Sequence, residues 1–483
     1  MAMGKLSALE PKRVFEYFEE ISAIPRGSGN MEQISSYCME FAKKHGLRVQ
    51  RDAAKNVIIY KDGTAGYETA EPVILQGHLD MVCQKAEDCD IDFEKDGISL
   101  VAEGDTLRAD GTTLGADNGI AVAMVLAILA SDDIAHPPLE ALFTTDEEVG
   151  MLGAMALCTD GLKGKKLINL DAEDPDTVTV SCAGGSDFRM TMRCGRKTAH
   201  GTRVILNLKG LAGGHSGIEI DAGRVNADIL MGRVLNEAKA IGDFELLSVN
   251  GGDKGNAIPP CCSAEIVAAN EEVFIRQLKK RLAAIKGEIA DREPNFAPTL
   301  CAMETGEFDV LVPEARDRLI AALLCVPNGV ADRSVSIENL VETSLNLGIL
   351  KTEADRLILH FTLRSNKQTA LEFLEKRLLC FAEVFGCEAE AFGHYPPWEF
   401  RSDSALLEQC IECYKEQYGR APSVVAIHAG LECGVFAAKI KDLDCISIGP
   451  MMRGVHTVGE RLSISSTKAT FELVQKLLAR CKG

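Results

Sequence analysis

The sequence predicts an α/β fold: a discontinuous domain with a mixed, mostly parallel sheet flanked by helices, interrupted by an inserted α+β domain. Three observations carry this. Over residues 56–170, short apolar runs alternate with helical stretches, the pattern of a sheet with helices on its faces. After Cys182-Ala-Gly-Gly185 the pattern changes to half-exposed strands separated by long helices. Near residue 393 the first pattern resumes. The expected parse is one domain over 1–187 and 393–483, with a second over 188–392.

The elements follow in order. Residues 11–22 read as an amphipathic helix with Val14, Phe15, Phe18 and Ile21 on one face, and residues 31–45 as another helix. Strand-like runs come at 57–60, 73–75, 141–144 and 166–170, with a buried helix starting at Ile120. In the insert, 203–209 alternates as a half-exposed strand, Gly210-Leu-Ala-Gly-Gly-His-Ser-Gly217 follows, and 226–240 is helix-like. Strands at 244–249 and 357–364 alternate there with helices at 273–289 and 369–384. Residues 424–427 and 444–450 return to the first style.

A chain of 483 residues is too long for one ordinary core, and 46% hydrophobic content supports large packed cores over disorder. The net charge of −19 argues against nucleic acid or an anionic membrane as partner, because neither has a basic footprint to hold it. The longest apolar run, 120–130, is too short for a bilayer, which needs about 20 residues. No signal peptide is visible ahead of the first helix, and none is expected. The 17 cysteines are an odd number scattered through apolar stretches, as in a reduced cytoplasmic protein. Cys410-Ile-Glu-Cys413 lies in a helix-like stretch and reads as two thiols on one face.

Acid and imidazole side chains recur at the ends of the apolar runs, where such a sheet presents its chemistry. His78 and Asp80 end one run; Asp117 opens the buried helix; Glu147 and Glu148 close another run; Asp171 follows a third; His456 follows the last strand and a turn. Each alone has an ordinary reading. His-x-Asp is more often a buried hydrogen-bonded pair, Asp117 an N-cap, and an acidic pair after a strand a solvated turn. Together, oxygen and nitrogen donors on rigid strand ends suit zinc or a pair of zincs. A carboxylate left unligated beside them can activate water, which predicts a metal-dependent hydrolase.

The joint pattern resembles a known family. His78-Leu-Asp80, Gly115-Ala-Asp117-Asn118, Thr145-Asp-Glu147-Glu148-Val-Gly150, Leu170-Asp171 and His456-Thr match, in order, the motifs of the M20-type di-zinc metallopeptidases. Within them the chain is most similar to the aminoacyl-histidine dipeptidases. That agreement runs on through Gln76-Gly-His-Leu-Asp-Met-Val82, Gly214-His-Ser-Gly217, Gly255-Asn-Ala-Ile-Pro259 and His428-Ala-Gly-Leu-Glu432.

The resemblance implies a cytoplasmic dipeptidase acting on unblocked dipeptides, Xaa-His among them, with two Zn²⁺ per subunit; Mn²⁺ or Co²⁺ also suits mixed nitrogen and oxygen donors. It implies that His78 and Asp171 bind one zinc, Glu148 and His456 the other, and Asp117 both. Asp80 would orient His78, and Glu147 would be the general base serving a zinc-bridging hydroxide. The Asp117–Asn118 peptide would be cis. His215 would donate to the oxyanion, Asn256 and Arg364 would take the substrate's carboxylate, and Gly430 would leave room for its backbone. On residue type alone, His215 reads as a surface loop residue, Arg364 as a strand-end arginine in a surface ion pair, and Asn256 as a turn residue. In the family the insert is a lid that often mediates homodimers. Tripeptide aminopeptidases, carboxypeptidases and acyl-amino-acid deacylases share the same metal motifs, so the lid, and not the ligands, separates these activities. A non-catalytic peptide-binding relative would be expected to have lost Glu147 or a ligand.

Overall fold

The computed structural model describes residues 6–482. Residues 1–5, where the absence of a signal peptide is expected, lie outside them. The chain divides into two compact units: Met1–Cys182, Trp398–Ala426 and Leu431–Gly483 form the first, Ala183–Pro397 and Ile427–Gly430 the second.

The first unit is built on an eight-stranded mixed sheet that is parallel through its centre. Strands Leu139–Thr144, Val73–His78, Lys166–Asn169 and Asp444–Ser447 lie side by side and parallel. They read as unbroken apolar runs because both faces are covered; Val73, Ile74, Leu75, Ala141, Leu142 and Phe143 are all buried. Helix Lys12–Ser22 buries the stripe of Val14, Phe15, Phe18 and Ile21, as its periodicity predicts. Helix Ala116–Leu129 is buried on every side, so no amphipathic period marks its inner face. Register sets the active edge. His78, last in its strand, pairs with Thr144, and Gln76 pairs with Asn169. Two of these parallel strands therefore finish level, the third stops two residues earlier, and the residues just past them share one rim.

The ordinary readings of two motifs taken singly do not hold. Asp117 does not cap its helix: Gly115 is the N-cap, and Asp117 sits inside the first turn with non-helical φ and ψ. The Asp117–Asn118 peptide bond is cis. Glu147 and Glu148 do not form a solvated turn: Glu148 has only 7% of its side chain exposed. Their strand ends at Thr144, and Asp146 adopts a φ of 54°, so the chain reverses before both glutamates. Cys410 and Cys413 are buried on one helix face.

The second unit carries a long antiparallel sheet. In strand Gly184–Arg193, Phe188, Met190 and Met192 face the core, while in the neighbouring Arg356–Ser365 strand Leu357, Leu359, Phe361 and Leu363 do the same. Period-two alternation puts Arg364, paired with Ser344 and Gly185, on the opposite face. A short two-stranded ribbon pairs His215 with Ala257, beside Asn256.

Candidate functional site

In the first unit, the strand ends and the adjoining turns bring five expected ligands together. His78 Nε2 lies 3.0 Å from Asp117 Oδ1 and 3.5 Å from Asp171 Oδ1. His456 Nε2 lies 3.1 Å from Asp117 Oδ2 and 3.0 Å from Glu148 Oε1. The two oxygens of Asp117 thus face different imidazoles. His78, Asp117 and Glu148 offer donor atoms all within 4.8 Å of one another, a grouping that could hold a metal ion. His456 reaches this place from a turn with a φ of 65°, a strained value for a side chain other than glycine.

Asp80 does more than face the histidine. Its Oδ1 lies 3.4 Å from His78 Nδ1. The same oxygen accepts the Glu147 amide at 3.0 Å, and Oδ2 accepts the Glu148 amide at 3.2 Å and the Ser28 hydroxyl at 2.8 Å. One carboxylate therefore holds both the imidazole and the turn that carries the two glutamates. Asn118 joins the strands from the other side: its Oδ1 accepts the His78 amide at 3.2 Å, and its Nδ2 donates to the Leu170 carbonyl at 2.8 Å.

The electrostatics are those of crowded acids. Burial pushes Asp171 up to about 8, with Asp117 adding repulsion. Burial also drives Glu147 well above the carboxylate range, reinforced by Asp171, Glu432 and Glu148. Burial pulls His78 down, but Asp171, Asp117 and Asp80 outweigh it and the net shift is strongly upward. His456 is raised to about 10 by its contacts with Asp117 and Glu148. Asp171 Oδ1 is buried without a hydrogen-bond partner. An orphaned buried carboxylate oxygen facing imidazole and carboxylate donors fits a divalent cation, which would satisfy the oxygen and offset the mutual repulsion.

Three further residues support this rim, and sequence reasoning assigned them no role. Glu432 is 1% exposed, takes the Gln76 amide and the Thr144 hydroxyl, and is raised to about 7 by burial. Arg26 is fully buried and donates to the carbonyls of Leu79, Asp80 and Gly115. Glu460 accepts the amides at the start of the Ala116–Leu129 helix. Glu432 ends the quoted His428 motif, which is its only signal, and Glu460 lies four residues past His456, outside the quoted motifs. Arg26 had none.

The remaining four expected residues belong to the second unit. Arg364 is 7% exposed, and a buried position is not that of a strand-end arginine in a surface ion pair. Its Nη1 donates to Tyr395 Oη at 3.0 Å, while its Nε is buried without a partner. Gly217 is close-packed: a side chain there would meet the His428 carbonyl at 2.5 Å, His215 Cε1 at 2.9 Å and Arg364 Nε at 3.1 Å. His215 and Arg364 are therefore neighbours, and burial together with the Arg364 charge keeps His215 below its ordinary value. Asn256 holds the same loop, its carbonyl accepting the Ser216 amide at 2.9 Å. Gly430 follows Ala429, whose carbonyl accepts the Ala183 amide at 3.1 Å. His428, also without an assigned role, lies between Ser344 Oγ at 2.7 Å and Asn366 Oδ1 at 3.2 Å.

Comparison with known proteins gives a consistent picture. The pattern of the peptidase family M20/M25/M40 matches residues 74–480. The chain is 37% identical over 480 residues to the cytosol non-specific dipeptidase of Escherichia coli (strain K12), covering 99% of each. It is similar, at 37% identity and a TM-score of 0.91, to the crystal structure of aminoacylhistidine dipeptidase from Vibrio alginolyticus, over 99% of this chain and 98% of that one. The aminopeptidase PepT of Bacillus cereus shares the fold at 15% identity and a TM-score of 0.57, over 98% and 100% of the two chains.

Proposed function

The chain belongs to peptidase family M20/M25/M40, and from that premise we propose that it is a cytoplasmic metallo-dipeptidase cleaving unblocked dipeptides, Xaa-His included. The observation that carries the reading is Asp117, whose two oxygens face two different imidazoles with Glu148 and Asp171 beside them. In this reading His78 and Asp171 hold one Zn²⁺, Glu148 and His456 hold the other, and Asp117 contributes to both. Bound there, the cations would supply positive charge that makes a water easier to deprotonate and a carbonyl easier to attack.

The chain's own groups do the rest. Asp80 fixes the orientation of His78 through Nδ1 and anchors the Glu147 amide, so imidazole and base move as one piece. Glu147 takes the water's proton on its carboxylate and returns it to the leaving amine. Its buried setting raises its proton affinity above that of an exposed glutamate. From the second unit, Arg364 and Asn256 bind the substrate's terminal carboxylate, for which the unpartnered Arg364 Nε is a waiting donor. His215 donates to the oxyanion as it develops. At Gly430 the lack of a side chain leaves space for the peptide backbone. Every cysteine is a free thiol, and among the described residues no helix is long and apolar enough to cross a membrane; the thiols support a reducing compartment.

Glu147→Ala tests the mechanism. Its metal content, by elemental analysis, should match the parent while kcat falls about 10²–10⁴-fold. Wild-type-like turnover would remove Glu147 from the chemistry. A panel of β-Ala-His, Gly-Gly, a tripeptide and an N-acetyl amino acid tests the substrate class. Preference for the tripeptide or the acylated substrate would replace the dipeptidase reading with another activity of the same site.

A further inference from the structure

The His456 imidazole is held at its place by little of its own. Its side chain is 50% exposed, so packing does not fix it, and its backbone sits at a φ of 65°. Four residues later the same turn carries Glu460, which is 3% exposed. Glu460 Oε2 accepts the amides of Leu114 at 2.8 Å and Gly115 at 3.0 Å; Oε1 accepts those of Ala116 at 2.8 Å and Asp117 at 3.3 Å. Consecutive amides converge on one carboxylate because Gly115 turns left-handed, with a φ of 67°. A side chain at Gly115 would come within 2.5 Å of Arg26 Nη2.

The turn between the two residues is short and closed. The Thr457 amide donates to the Gly454 carbonyl, and the Glu460 amide donates to the Thr457 carbonyl, each at 3.1 Å. One rigid turn therefore grips Asp117 twice: Glu460 takes its backbone amide, and His456 faces its carboxylate at 3.1 Å. Charge-assisted bonds to buried amides are strong, and here they act at a helix N-terminus that favours a negative charge.

We infer that Glu460 is a positioning residue: it sets the His456–Asp117 separation and so the fit of the cation shared by His456, Glu148 and Asp117. This rests on the two-cation reading above. Glutamine at 460 would keep the shape but turn an amide NH₂ towards backbone N–H groups, breaking the grip on one side. Aspartate would keep the charge but shorten the reach by one methylene. The opposing explanation is that Glu460 stabilises the fold and nothing more.

The test uses the full chain, Zn²⁺ as the probe and a chromophoric chelator as competitor. Glu460→Gln and Glu460→Asp are compared with Leu462→Ala, a change at a buried position in the same hairpin that removes packing but leaves the grip intact. Urea unfolding of the metal-free proteins scales each result by stability. We expect Glu460→Gln to bind one equivalent as the parent does and the other about 10–100-fold more weakly. Its kcat should fall while KM for a dipeptide moves less than about threefold, the mark of displaced chemistry and not of lost substrate binding. Glu460→Asp should lie between, and it carries the test should Glu460→Gln not fold. Parental affinity for both equivalents would overturn the inference. So would equal weakening of both, matched by Leu462→Ala at the same loss of stability. A parent protein binding fewer than two equivalents would overturn the two-cation reading itself, and the inference with it.

Discussion

At the scale of single residues, what matters is the company each charge keeps. Arg364 reads on paper as a surface arginine, yet it is buried with a donor to spare. Truncating it to alanine should lower kcat/KM for free dipeptides about 10–100-fold, the worth of a charged hydrogen bond, while C-terminally amidated dipeptides lose far less. Equal losses on both would move carboxylate recognition elsewhere. His428 makes a different prediction. Burial, then the charges of Arg364 and His215, hold it down at about 3, so it is neutral when folded. Its Nδ1–H donates to Asn366 Oδ1, leaving Nε2 to accept from Ser344 Oγ. An unfolded histidine titrates near 6.5, so below that pH protonation favours unfolding. Stability should be full above about 6.5 and decline as pH falls towards 3, by on the order of 1 kcal/mol per pH unit. Urea midpoints at pH 7 and 4.5 should show a smaller drop for His428→Gln than for the parent; equal drops would show that His428 is not the group responsible. The cluster of His78, Asp117, Glu148, Asp171 and His456 was legible because the motifs name residue types at fixed intervals. Arg26, Glu432 and Asp80's hold on two amides were not, since each depends on groups distant in sequence.

Among the elements, sheet and helix contribute in different ways. The parallel strands were readable as apolar runs, and the alignment of their carboxyl ends follows from register, which side-chain type alone does not specify. Helix Ala116–Leu129 was readable as buried, but apolar residues on every side conceal which face meets the sheet. Its non-helical opening at Asp117 and Asn118 was not readable from propensity, because Glu460 and Asn118's bonds across two strands decide it. Leu126, fully buried at its centre, offers a test of how firmly the helix is packed. Leu126→Ala should cost about 2–5 kcal/mol in urea unfolding; a loss below about 1 kcal/mol would mean that the surroundings close over the gap.

For the molecule as a whole, the concentration of acids leads to the prediction that stability depends on cations. Asp171 and Glu432 are both raised by burial, and Asp171 has an oxygen with no donor. A cation that binds the folded rim stabilises by mass action, about 4 kcal/mol at a thousandfold excess over Kd. Chelation should therefore lower the melting temperature by roughly 4–8 °C, and added Zn²⁺ should restore it. An unmoved transition would argue that no cation is held there. The thiols need no such rescue: Cys38, Cys182 and Cys410 are buried, and burial raises each to about 12, leaving them unreactive.

The class of fold, the apolar strands, the buried helix and the residue types able to hold a cation could be read along the chain, because hydrophobic period and motif spacing are local properties. That Asp117 faces two imidazoles, that Asp80 anchors the glutamate turn and that Glu460 binds the helix opening came from the folded chain alone. The reason is that a hydrogen bond or a carboxylate contact is fixed by distance in space, and these partners are separated by tens to hundreds of residues along the chain.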